Sequence, residues 1–150
     1  MSMPSMYAPH ASPLVLRKMN ELFDSLQNVQ THFETAADSV KDKQMQLTLR
    51  GVAQESCQYA NELSCKIQTI GGNPERYFHP PVPGSAEAVA STTAFDEDII
   101  KECAADELAM MVAYQNLLND ANLNSDLQSM IRYQLNGIMY GYMQMQLLYH

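Results

Sequence analysis

Apolar residues recur along this chain at alternating steps of three and four. The first run is Val15, Met19, Leu22, Leu26, Val29, Phe33, Ala36 and Val40. That spacing puts one stripe on one face of a helix and predicts a long helix with a bundle-type seam. Ser12 followed by Pro13 reads as its N-cap and first helical position. "VKDKQ" interrupts the pattern. A second stripe then runs through Met45, Leu49, Val52, Ser56, Tyr59, Leu63, Ile67 and Ile70. It should stop at "GGNP", where Gly71 or Gly72 can take a left-handed cap and Pro74 blocks continuation. The short connection makes the two helices antiparallel neighbours.

A third helix is expected from near Phe95, with the seam Ile100, Cys103, Glu107, Met110, Tyr114 and Leu117. "NDANLNSD" reads as a turn. The fourth helix carries Leu127, Ile131, Gln134, Ile138, Tyr142, Met145 and Tyr149. Nothing alternates with the period of a strand. Residues 1–12, with two prolines, read as a flexible arm, and residues 13–150 as one domain. The proline-rich stretch at about residues 73–92 is too long for a tight turn and reads as a crossover along the bundle. The expected fold is all-α: two antiparallel helical hairpins joined by one long crossover, the arrangement of a ferritin-like four-helix bundle.

Charge narrows the partners. The net charge is −8, whereas nucleic acids and anionic membranes both call for concentrated Lys and Arg. No nucleic acid and no membrane partner is expected. The opening residues lack the basic and apolar regions of a secretory signal, and Gln134, Asn136, Gln144 and Gln146 make the last helix too polar for the lipid core. A cytoplasmic location is expected. Cys57 and Cys65 lie about 12 Å apart along one helix, too far for a disulfide. With Cys103 they read as buried free thiols.

Three segments carry a family resemblance: "HFETAADSVKD" ending the first helix, "NELSCKIQTIGGNPE" ending the second and "ECAADELAMMVAY" in the third. With these segments the chain resembles a bacterial ferritin-like four-helix-bundle family of unknown function. The resemblance implies a fold and a superfamily, not a reaction.

That superfamily directs attention to a dinuclear carboxylate metal centre. Such a centre takes one Glu from each of two helices and a Glu-x-x-His from each of the other two. Glu21, Glu34 and His32 lie beside the seam of the first helix. The second has Glu55 and Glu62, with Gln58 where a His is needed. The third has Glu102 and Glu107. The fourth has no carboxylate after Asp126, and its only histidine is the terminal His150. No Glu-x-x-His pair exists, so the metal site reads as degenerate and no cofactor is expected. Glu55, Glu62 and Glu107 remain as ligands for the alternative, a centre holding iron or manganese in a protein that oxidises or stores iron. Otherwise Glu55 and Glu62 should be solvated or paired with Lys or Arg at the bundle edge. Glu107, on an apolar seam, should have a raised pKa and a hydrogen bond to a tyrosine or to Gln134. A third option is a small-ligand site in the bundle interior near Glu107 and Tyr114.

The fourth helix is uncharged from Tyr133 to Tyr149, with Gly137 and Gly141 one turn apart. A helix uncharged all round should be covered all round. It is expected near a homodimer interface, the glycines admitting another backbone, or in a groove that receives the arm. The function expected is a non-enzymatic module, structural, protein-binding or stress-associated.

Overall fold

The computed structural model describes residues 12–71 and 95–149. They form four helices: α1 (Pro13–Ser39), α2 (Lys43–Thr69), α3 (Asp96–Leu118) and α4 (Ser125–Leu147), with no strand among the described residues. The arm and the crossover lie outside these residues.

Each helix starts where local chemistry satisfies its free amides. Ser12 Oγ accepts from Val15 N at 3.2 Å, with Pro13 in the first turn. Asp42 Oδ1 caps α2 through Met45 N at 2.9 Å, and Asn124 caps α4 through Leu127 N at 2.9 Å. Past α2, Gly71 takes φ 97°, a left-handed conformation that favours glycine. α3 has no side-chain cap at Phe95, but Asp96, Glu97 and Asp98 fill its first turn, where the helix dipole favours negative charge.

The expected seams of α1, α2 and α3 are buried in full, Glu107 and Ser56 included. In α4 the seam differs by one position. Gly141 is buried and Tyr142 is only half-buried, so the run is Leu127, Ile131, Gln134, Ile138, Gly141 and Met145. Tyr149 is also half-buried. The three cysteines are free, as expected, but Cys65 is exposed and Cys57 half-buried. Only Cys103 is in the core.

α1 packs on α2 and α3, and α4 on α3 and α2; the α2–α4 contact is the sparsest of the four. Cross-helix bonds fix the directions. Asp96, at the start of α3, accepts from Lys41 N and Asp42 N beyond the end of α1. Lys18, near the start of α1, pairs at 3.0 Å with Asp120, beyond the end of α3. α1 and α3 are therefore antiparallel, and α2 and α3 parallel. The N–H of Asn122 and the Lys18 ammonium hold the Asp120 carboxyl below its ordinary range.

Asp96 is a clip on the α1–α2 turn, making contacts of 2.9, 3.0 and 2.9 Å with two backbone amides. Asp96→Ala should cost about 1–2 kcal/mol in urea unfolding and speed hydrogen exchange at Lys41 and Asp42. Unchanged exchange there would show that the clip contributes nothing.

Candidate functional site

Polar side chains from three helices meet inside the bundle. Gln134 on α4 is fully buried and uses both ends of its amide. Its Oε1 accepts from Tyr114 Oη at 2.6 Å. Its Nε2 donates to Glu62 Oε1 at 3.0 Å and to the Tyr59 carbonyl at 3.3 Å. Gln58 donates to the other oxygen of Glu62 at 3.1 Å. A buried amide satisfied on both sides fixes the register of α2, α3 and α4.

The glycines of α4 face this network. A Cβ at Gly137 would collide with the Tyr59 hydroxyl and stand 3.2 Å from Glu55 Oε2. One turn on, a Cβ at Gly141 would lie 3.3 Å from Val52 Cγ2 and 3.5 Å from Glu107 Oε2. The pair therefore admits side chains of its own bundle: Glu55 and Tyr59 from α2, and Glu107 from α3. This corrects the expectation that the glycines admit another backbone.

Glu107 is 1 % exposed, and its Oε2 has no hydrogen-bond partner among the described residues. Burial, then the nearby charges of Glu55 and Asp106, push its pKa up to about 8. The expected bond to Gln134 or a tyrosine is not what occupies Gln134, which Tyr114 and Glu62 share. Burial also raises the Glu55 pKa, against a hydrogen bond from Tyr59 that lowers it. Burial, with the carboxylates close by, keeps Tyr59 and Tyr114 protonated. Glu55 and Glu62 are half-buried and, among the described residues, in no ion pair with Lys or Arg. Their partners are neutral donors instead.

The other candidates lie elsewhere. Glu21, Glu34 and Glu102 are exposed. His32 bonds Asp106 across the α1–α3 contact, and its Nε2 is buried without a partner among the described residues. The Asp106 bond, with the charges of Asp106 and Glu102, raises the imidazole pKa against its burial. Burial, then Asp106, Glu102 and Glu107, raises the Cys103 thiol pKa and makes it a poor nucleophile.

What the site can do follows from its donors. Glu55 and Glu107 face each other's field from two helices, Glu62 is engaged by amides, and among the described residues no imidazole joins them. Among the described residues no group of three or more His, Cys, Asp or Glu is placed to hold a metal ion. The set falls short of the two Glu-x-x-His pairs of a dinuclear carboxylate centre. The Tyr114–Gln134–Glu62 chain was not foreseen, although Gln134 on an apolar seam was its signal.

Among the described residues no helix is long and apolar enough to cross a membrane. A family model described as a domain of unknown function (DUF2383) matches residues 14–120, from the first turn of α1 to the turn after α3. No curated protein matches the sequence.

Two outcomes follow. Glu107 is raised from 4.5 to about 8, so the folded chain keeps a proton that the unfolded chain releases. That contribution is complete below pH 4.5 and is lost as pH rises through about 8. Raised Glu55 and His32 act in the same direction. The stability of Glu107→Gln relative to the parent should therefore climb from acid to alkaline pH, by a few kcal/mol at about 1.4 per pKa unit. A difference that ignores pH would contradict the burial. Gly137→Ala should cost about 1–3 kcal/mol through overpacking. Gly51→Ala, whose Cβ meets nothing within 4 Å, should gain up to about 1 kcal/mol from helix propensity. Equal thermal melts for the two variants would refute the packing.

Proposed function

We propose that this chain, which belongs to the DUF2383 family, is a non-enzymatic helical bundle that acts through protein contacts. The arrangement is ferritin-like with a degenerate metal site, and the partner is a second copy of the chain. The observation that carries this reading is the outer face of α4. Tyr133, Tyr140, Met143 and Leu147 are all exposed, Tyr140 at 63 % and Leu147 at 77 %. They repeat at steps of seven, three and four, a second seam turned away from the bundle's own core. An apolar strip of that regularity on a water-facing helix marks a contact surface. Methionine and tyrosine suit it, the one adaptable and the other amphipathic. A chain of net charge −8 repels its copies over most of its surface. Along a helix uncharged from Tyr133 to Tyr149 that repulsion is least.

One observation favours a second reading, a carboxylate metalloprotein that stores or oxidises iron. It is the approach of Glu55 and Glu107, with an unpartnered oxygen between the helices. These two residues would hold the metal, which would supply redox or Lewis-acid chemistry. Elemental analysis after iron or manganese loading would favour this reading if metal is retained by the parent and lost in Glu107→Ala.

The contact reading is tested by Tyr140→Glu combined with Met143→Glu. Both side chains are exposed, so circular dichroism and melting should hold while light scattering falls from dimer to monomer mass. A parent that is monomeric, or a double variant that stays dimeric, overturns it.

A further inference from the structure

Between α2 and α4, where the bundle is least tightly closed, a groove of about 310 Å³ opens to the surface. Its lining is mixed. Leu47, Val52 and Tyr140 are apolar walls, Thr48 and Gln144 are polar, and Glu55 stands at the end nearest Gly137. Gly51 and Gly141 keep the middle open. Behind the floor made by Val52 and Gly141 lies Glu107 Oε2, buried and without a hydrogen-bond partner among the described residues.

One carboxyl group, Glu55, thus lines the groove and a second, Glu107, lies buried behind its floor, and among the described residues neither has a Lys or Arg partner. A cation complements them. A bare metal ion is poorly served, because no third acid, His or Cys joins the pair among the described residues and the apolar walls would stand idle. An ion with N–H donors at one end and a hydrocarbon stem uses the whole lining. Charge-assisted N–H bonds suit a carboxylate. The stem suits Leu47, Val52 and the face of the Tyr140 ring.

The geometry points to a binding site for a primary alkylammonium ion: its N–H groups on Glu55, Glu107 adding charge behind the glycine floor once it is ionised, and its stem along Val52, Leu47 and Tyr140. A proton or the ammonium ion neutralises the pair, so an occupied groove relieves the cost of the buried carboxylate.

The test titrates the full chain with n-hexylamine, n-hexyltrimethylammonium and magnesium chloride, read by calorimetry and amide chemical shifts at mildly alkaline pH. Hexylamine should saturate and shift the amides of Glu55, Tyr140 and Gly141. Glu55→Gln and Glu107→Gln, which keep side-chain shape, should each weaken it about tenfold or more, about 1.4 kcal/mol. The quaternary ion, lacking N–H donors, should bind more weakly to the parent chain, a comparison that needs no variant to fold. Equal binding of the two organic ions, magnesium displacing hexylamine at the same concentration, or no saturation at millimolar amine would each overturn the assignment. Light scattering during the titration separates occupancy of the groove from any change of mass.

Discussion

An ionisable carboxyl group on an apolar seam is the constraint around which this bundle is arranged. Glu107 occupies a position that heptad packing gives to Leu or Ile, between Cys103 and Met110. Burying its charge is costly, so the surroundings adapt. α4 gives up side-chain volume at Gly137 and Gly141, which lets Glu55, Tyr59 and Glu107 in. The carboxyl keeps its proton up to about pH 8. Gln134 joins Tyr114 to Glu62 a turn away, so the polar layer stays bonded while one oxygen of Glu107 does not.

That arrangement accounts for the division of labour among the helices. α1 and α3 are clamped at both ends, by Asp96 on the α1–α2 turn and by Lys18 with Asp120. The α2–α4 contact holds the glycines, the carboxyl pair and the groove, and it is the sparsest. Next to it, α4 turns Tyr133, Tyr140, Met143 and Leu147 to the outside. Tyr140 belongs to both the strip and the groove.

The helices were legible because aliphatic residues at steps of three and four leave a strong signal, and Ser12 and Gly71 mark ends by known stereochemistry. Glu107 was legible as a buried acid for the same reason: its place on the stripe. What could not be read depends on volume and on pairs far apart in sequence. Glycine has no hydropathy signal, so Tyr142 was preferred to Gly141 on the α4 seam. The purpose of Gly137 is set by Glu55 and Tyr59, more than seventy residues earlier, and no periodicity connects them. Cys65 was expected inside because free cysteines usually are; its place off the α2 stripe was the better guide. The bonds from Gln134 to Tyr114 and to Glu62 require the three helices to be in register, which only the fold supplies.

The central claim is that Glu107 is a neutral acid at physiological pH, held so by burial beside Glu55. Carbon-13 labelling of glutamate carboxyls, followed by NMR through a pH titration and assigned with Glu107→Gln, measures this directly. The account predicts one carboxyl resonance that titrates near pH 8 and disappears in the variant. A Glu107 resonance that titrates close to the ordinary value of 4.5 would contradict it, and with it the reason given for the glycines of α4.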